Sequence, residues 1–476
     1  MSNLFNGMTS NDTLTTNGML ANSTTSNHCV DLFFSIGALR GKHNKQTLMN
    51  NFIKAYHENK LIALKILFWS RDVREGAGER QIFKDVITYL ADNDLNTLIN
   101  NIHLISEYGR WDDMLPLIDT KAKDNVLTLI REGLKAKDGL CAKWLPRPNV
   151  NNKDKKRWAN QIRKSLGLSP KEYRILLSDL SNTVEQLMCS NKWGSIEYNK
   201  IPSKAMSDYM SVFIRHDKER FLSFINDVKT GKTTIKAGAV YPYDIIKNMR
   251  YGNKDGADVQ WNSLPNYMEG NKKRLLPIVD VSGSMSCPAG SSKTITCLDV
   301  AISLGIYISE RNQGLFKDGF VTFSSSPTLE ILKGTLSERF IQMSNSHWGM
   351  STNLESVFNL VLNSAVKNKV SADEMPDTLV ILSDMQFNQG VKYNTSAQEM
   401  IERMYNDAGY KMPSVIYWNL NGANNNFPVK YDKSGVCLVS GFSPTLLKNI
   451  LGDVDYSPEK IMLDIVNSER YSKISL

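Results

Sequence analysis

The stretch Leu276-Pro277-Ile278-Val279-Asp280-Val281-Ser282-Gly283-Ser284-Met285 decides how this 476-residue chain is read. An apolar run up to Val279 reads as a buried strand that ends in a carboxylate. A bare carboxylate in that position is costly unless it is paired or bound to a cation. Two hydroxyls follow, two residues apart, on a turn that Gly283 lets tighten. Asp280, Ser282 and Ser284 are hard oxygen donors of the kind that suits Mg²⁺ or another divalent cation, with waters filling the remaining positions.

Working outward toward the carboxyl end, strands and helices alternate. Strands are expected at Arg274–Val281, Gly319–Phe323, Leu329–Leu332, Thr378–Ser383, Ser414–Leu420 and Gly435–Val439. Helices are expected at Thr294–Arg311, Leu354–Ala365, Ser396–Ala408, Pro444–Leu451 and Pro458–Val466. This alternation predicts an α/β doubly wound, mostly parallel sheet. Such sheets bind ligands at the carboxyl ends of their central strands. Two further segments would reach that edge. Gly349-Met350-Ser351-Thr352-Asn353-Leu354 precedes a helix, and Leu379-Val380-Ile381-Leu382-Ser383-Asp384 is an apolar strand ending in an acid.

Taken together, these three segments resemble the metal-ion-dependent adhesion site of von Willebrand factor A (vWA) domains. The first matches its Asp-x-Ser-x-Ser loop, the second its Gly-Gly-Thr-Asp/Asn element, the third its acidic loop. The resemblance implies a Rossmann-like vWA domain holding a cation through Asp280, Ser282, Ser284, Thr352 and Asp384. Its open coordination position can take a carboxylate from a protein partner. Asn353 stands where many members carry Asp. Such sites rarely catalyse, and no base or nucleophile accompanies this one. Of six histidines, only His347 lies near these loops in sequence. A non-enzymatic protein is therefore expected. The plainer alternatives are that Asp280, Ser284 and Thr352 serve as helix caps, or that the fold has lost its metal.

Toward the amino end, residues 1–28 are rich in Asn, Thr, Ser and Gly and are expected to form a disordered tail. They lack the basic flank and apolar core of a signal peptide. From Asp31 to about Lys247 apolar residues recur at helical spacing, as in Leu48, Phe52, Ala55, Leu64, Leu67 and Phe68. Many short helices joined by short turns suggest a solenoid or ring of helix pairs, although no repeat of fixed period is visible. Asn248–Lys273 is polar and Gly/Asn-rich and reads as the connection. The expected organisation is thus multidomain: a tail at 1–28, an α-helical HEAT-like repeat ring at 29–265 and the α/β vWA domain at 271–476.

No run of about 18 apolar residues exists, so no membrane helix is expected. The six cysteines form no Cys-x-x-Cys pair. Reduced thiols and a cytoplasmic location are the expectation. The formal charge of +8 is uneven: Leu276–Leu476 holds 16 Lys and Arg against 20 Asp and Glu, and the rest holds 41 against 29. The basic excess belongs to the helical half, which favours a polyanionic partner there.

A helical domain followed by a vWA domain resembles the Ro autoantigen family, whose TROVE module is a helical-repeat ring closed by a vWA domain. It is similar also to less characterised viral, plant and bacterial proteins of the same layout. Arg71-Asp72-Val73-Arg74-Glu75-Gly76-Ala77-Gly78-Glu79-Arg80 looks like that second group's signature loop. Tyr108–Leu115, Ala142-Lys143-Trp144-Leu145-Pro146 and Tyr241–Ile246 resemble further family segments. The resemblance implies binding of structured or misfolded small RNA. Candidate RNA contacts are Lys143, Arg147, Lys153, Lys155, Lys156, Arg157, Arg163 and Lys164, with Trp144 and Trp158 interleaved as stacking surfaces. Arg74 and Arg110 are weaker candidates. The plain reading of the same run is a solvated helix face with the tryptophans in the core, and of Arg71–Arg80 a set of salt bridges between helical repeats. Two other functions stay open: a protein-interaction scaffold with no RNA role, and a viral structural component.

Overall fold

The structure is a computed structural model and describes residues 13–39, 45–181, 183–250, 254–289, 294–322, 327–346, 352–389, 396–422, 426–450 and 457–476. The apolar runs of the carboxyl half form one sheet. Its strands are β3 (Leu275–Val279), β4 (Gly319–Thr322), β5 (Leu329–Ile331), β6 (Thr378–Ser383), β7 (Ser414–Asn419) and β8 (Val436–Ser440), after a short amino-terminal hairpin of β1 (Thr13–Leu14) and β2 (Leu20–Ala21). The sheet order is β5-β4-β3-β6-β7-β8, parallel except for the antiparallel edge strand β5. Strands β3, β6 and β8 are buried at every residue, as continuous apolar runs in a helix-covered parallel sheet should be.

Pro277 sits in the centre of this sheet, where a missing N–H is normally excluded. Asp280 N donates to Leu382 O on the β6 side. Alternation along the strand then turns the Pro277 nitrogen toward β4, and β4 pairs with β3 only from Ile278 onward. The proline therefore costs no ladder bond.

The amino half is helical, as expected, from His28–Ile36 to Lys254–Asn262. Its two ends both rest on the α/β domain. His28–Ile36 packs against β8 and the helix Pro458–Val466, whereas Pro242–Arg250 packs against the helix Cys297–Arg311. The helices thus start and finish on the same domain. One core of buried apolar residues runs from Cys29 through the sheet to Ile474. A second, separate core, with Tyr198, Met206, Met210, Phe213 and Phe221, holds the helices Ser203–His216 and Lys218–Lys229.

One expectation needs correction and two need additions. The tail is not disordered where the structure describes it. Residues 13–27 lie on the α/β domain, with Met19, Ala21 and Thr25 buried. Asn22 and Phe427 exchange two backbone bonds of 2.9 Å, and Thr15 Oγ1 donates to Phe387 O at 2.6 Å. A polar segment is held here by backbone pairing, which composition does not report. Residues 1–12 lie outside the described residues. The connection, read only as a polar join between the halves, contains a helix: Lys254–Asn262 buries Trp261 against Tyr307. Finally, the helix Leu336–Asn345 was unexpected, although its capping box, Thr335 with Glu338, stands in the sequence.

Candidate metal centre

β3 and β6 are neighbours, and their carboxyl ends carry Asp280 and Ser383-Asp384 side by side. The chain reverses direction across the sheet at this pair, so a crevice opens there. Asp280 is fully buried. Its Oδ1 accepts from Ser282 N at 2.9 Å and its Oδ2 from the Ser383 hydroxyl at 2.5 Å. Gly283–Ser286 then makes one 3₁₀ turn. That turn sets the Ser282 and Ser284 hydroxyls 3.0 Å apart. Against burial, which raises the pKa of Asp384, the neighbouring Ser284 side chain lowers it, and Asp384 Oδ1 accepts from Gln386 N at 3.2 Å.

Burial raises the pKa of Asp280, and the neighbouring Asp384 carboxylate raises it further. Burial raises Asp384 as well. Among the described residues neither carboxylate has a Lys or Arg partner. Two buried acids and a cluster of hydroxyls thus form an anionic donor set with no Lys or Arg among the described residues to balance it. That is the chemistry a hard divalent ion would complete. Among the described residues no group of three or more His, Cys, Asp or Glu could hold a metal; the donors gathered here are two carboxylates and the Ser282 and Ser284 hydroxyls.

Thr352, the fourth expected ligand, is 1% exposed and stands two residues before the helix Leu354–Asn368. The N-cap of that helix is Asn353, whose Oδ1 accepts from Ser356 N at 3.0 Å. The cap thus falls to the residue at the family's Asp position and leaves the Thr352 hydroxyl for other partners. Gly349–Ser351 and His347 lie outside the described residues. Sequence reasoning missed Asn17. Its Nδ2 donates to Thr352 Oγ1 at 3.3 Å and to Gln386 O at 2.7 Å. Thr16 N donates to Gln386 Oε1 at 2.6 Å. The amino-terminal segment therefore lies on the second and third loops, and no local pattern around Asn17 signals this.

The basic candidates divide into engaged and open. Arg110 donates to Asp112 (3.0 Å) and lies 3.6 Å over the Trp144 ring. Lys143 pairs with Glu185 at 3.5 Å. Arg147 donates to the Ala142 and Leu145 carbonyls. Arg157 pairs with Asp119 and Asp154, and Arg163 bonds Asn160 and Leu168 O. Trp158 donates to Asp119 at 2.7 Å. Lys153, Lys155, Lys156 and Lys164 stay exposed on the helix Lys153–Ser165, with Lys171 and Arg174 exposed on the next helix, Pro170–Ser181.

The loop Arg71–Arg80 is a lock between domains. Arg71 is 2% exposed and meets Asp113 at 2.6 Å, with Arg80 and Lys84 on the other oxygen of the same carboxylate. Burial would raise Asp113, but these three cations outweigh it and hold the group low. Asp72 binds Arg470 at 2.8 Å and Tyr471 at 3.2 Å, both from the end of the α/β domain. The glycines do not loosen the loop. A Cβ on Gly76 would stand 1.9 Å from Trp69 O, and one on Gly78, at φ +69°, 1.8 Å from the Tyr241 hydroxyl oxygen. Arg74 is exposed, and its guanidinium has no ion-pair partner among the described residues.

Comparison with known proteins follows the same division. Residues 15–167 and 137–273 match the family described as a domain of unknown function, DUF2828. The chain belongs to the DUF2828 family. Residues 275–473 match a second such family, DUF7788. The uncharacterized protein L728 of Acanthamoeba polyphaga mimivirus is 30% identical over 515 residues, covering 96% of this chain and 87% of that one. The crystal structure of the Deinococcus radiodurans Ro (RSR) protein aligns over 89% of this chain and 92% of that one, at 12% identity and a TM-score of 0.37. At that score no residue role passes from one to the other.

Proposed function

We propose that this DUF2828 chain is a non-enzymatic RNA-binding protein whose α/β domain holds a divalent cation for contact with a protein partner. The observation that carries the RNA reading is the set of six cations left open on two successive helices: Lys153, Lys155, Lys156, Lys164, Lys171 and Arg174. None has an ion-pair partner among the described residues, whereas neighbouring basic groups are used inside the fold. Open cations on one helical layer are available to phosphates, and each phosphate neutralised releases a counter-ion. The negative carboxyl half leaves this the favoured face for RNA.

Asp280, Ser282, Ser284, Thr352 and Asp384 would hold Mg²⁺ or a similar ion. When bound, the ion supplies an open coordination position for a partner's carboxylate. The chain's own residues fix the Asp280 carboxylate through the Ser383 hydroxyl and the Ser282 amide and the Asp384 carboxylate through the Gln386 amide, and Asp280 is fully buried.

The test is binding of a structured small RNA across a salt series. The intact protein should lose affinity with a log–log slope of roughly 0.9 per phosphate contacted. Lys155→Glu, Lys156→Glu and Lys164→Glu combined should flatten that slope. Unchanged affinity in the triple variant sinks the RNA reading and favours a scaffold that binds only protein. For the cation, Mg²⁺ should raise the thermal midpoint of the wild-type protein and leave Asp384→Asn unmoved. Equal responses in both count against the site.

A further inference from the structure

We propose that Cys287 and Cys297 form a reversible dithiol–disulfide site, whose closure shifts the Ser282–Ser284 turn. Their sulfurs are 3.4 Å apart. Cys297 N donates to Cys287 O at 3.0 Å and Ala289 N to Ile295 O at 2.9 Å, and Pro288 faces Thr296 in an antiparallel bridge. That register sets the two cysteines directly opposite each other beside the bridge, joined by the single bond Cys297 N to Cys287 O, and opposite residues of an antiparallel pair stand roughly 4.5–5.5 Å apart at Cα. Disulfides span Cα separations of roughly 4.4–6.8 Å. The bridged backbone therefore lies within disulfide range, and the sulfurs must approach to about 2.05 Å.

Both sulfurs are held in place from the segment after β7. Asn421 Nδ2 donates to Cys287 Sγ at 3.6 Å, and the Cys297 thiol donates to Leu420 O at 3.2 Å. Cys287 is partly exposed and Cys297 is buried. This fixes the order of attack. The Cys287 thiolate attacks a soluble disulfide oxidant such as glutathione disulfide, forming a mixed disulfide and releasing one thiolate. Cys297 then loses its proton and attacks Cys287 Sγ, expelling the second thiolate. The two cysteine protons end on the two released thiols, and the oxidant takes up two electrons.

The link to the metal loops is short. Cys287 lies three residues after Ser284 and its N donates to Ser284 O at 3.2 Å, so drawing Cys287 Sγ toward Cys297 pulls on the turn that carries the Ser282 and Ser284 hydroxyls. This part rests on the metal reading; the disulfide itself does not.

Full-length protein equilibrated with oxidised glutathione, then denatured, alkylated and mapped by peptide mass spectrometry, tests the site. Cys189→Ser is used as background, because Cys189 is exposed and would add intermolecular links. The expected result is one pair of peptides joined through Cys287 and Cys297, released by dithiothreitol and absent in Cys297→Ser. Full alkylation of both thiols, or arrest at a glutathione adduct on Cys287, overturns the proposal. In a second arm, Mg²⁺ half-saturation read by thermal shift should weaken at least about threefold on oxidation. An unchanged value with the link formed overturns the coupling alone. No Mg²⁺ response in the reduced protein removes the coupling together with the metal reading, and the mapped link still decides the site.

Discussion

Asp113 shows how much of the signature loop is structural. It is fully buried and receives Arg71, Arg80 and Lys84. Asp113→Ala strands the Arg71 guanidinium, itself 2% exposed, without a counter-charge. Removing one partner of a buried pair costs about 3–5 kcal/mol, so the urea midpoint should fall by that equivalent; a loss under about 1 kcal/mol would mean that Arg71 finds other partners. The metal carboxylates behave in the opposite sense. Their pKa values are raised by burial and, for Asp280, by Asp384. A raised acid contributes stability below its ordinary pKa and loses it as pH rises through the raised value. In chelator, the thermal midpoint of the wild type should therefore drop between about pH 4 and pH 7 more than that of Asp280→Asn. Mg²⁺ at the upper pH should close the gap; parallel curves for the two proteins would contradict this. The acid at the end of a buried strand was readable from sequence. The cations gathered on Asp113 were not, because Arg71 and Asp113 are joined only by the packing of separate helices.

At the scale of elements, the amino-terminal segment departs furthest from expectation. Its sequence has few apolar residues, yet Met19 and Ala21 are buried and Asn17 reaches Thr352. Deleting residues 1–24 should lower stability by at least about 2 kcal/mol, the scale of one buried Met side chain with its neighbours, measured by denaturant melts. No change would show that the segment lies on the domain without holding it. Most strands and helices of the α/β half were legible, since apolar runs of strand length alternate with amphipathic ones. Strand β6 and the helix Pro458–Val466 match the expected bounds. The helix Lys254–Asn262 was hidden by its polar, Gly-containing composition, because what stabilises it is Trp261 against the other domain rather than its own pattern.

For the whole molecule, one core crosses the boundary between the helical and α/β halves, and Asp72 ties the first helices to Arg470 and Tyr471 near the last residues. The two halves should unfold together in one calorimetric transition, and residues 275–476 expressed alone should expose the face that β8 presents to His28–Ile36 and lose cooperativity. Two well-separated transitions in the intact protein would refute this. The smaller core around Tyr198 and Phe213 stands apart from the main one.

The sequence by itself determined the two-part architecture, the parallel sheet and the position of the acidic strand ends, because burial period and strand-end chemistry are local properties of neighbouring residues. Only the tertiary structure decided which basic groups remain open, that Arg71 joins separate helices through Asp113 while Asp72 locks the domains, that residues 13–27 lie on the candidate site and that Cys287 faces Cys297. Each of these is a pairing across the fold, and in a pairing one residue's role is set by a partner the chain brings near only when it folds.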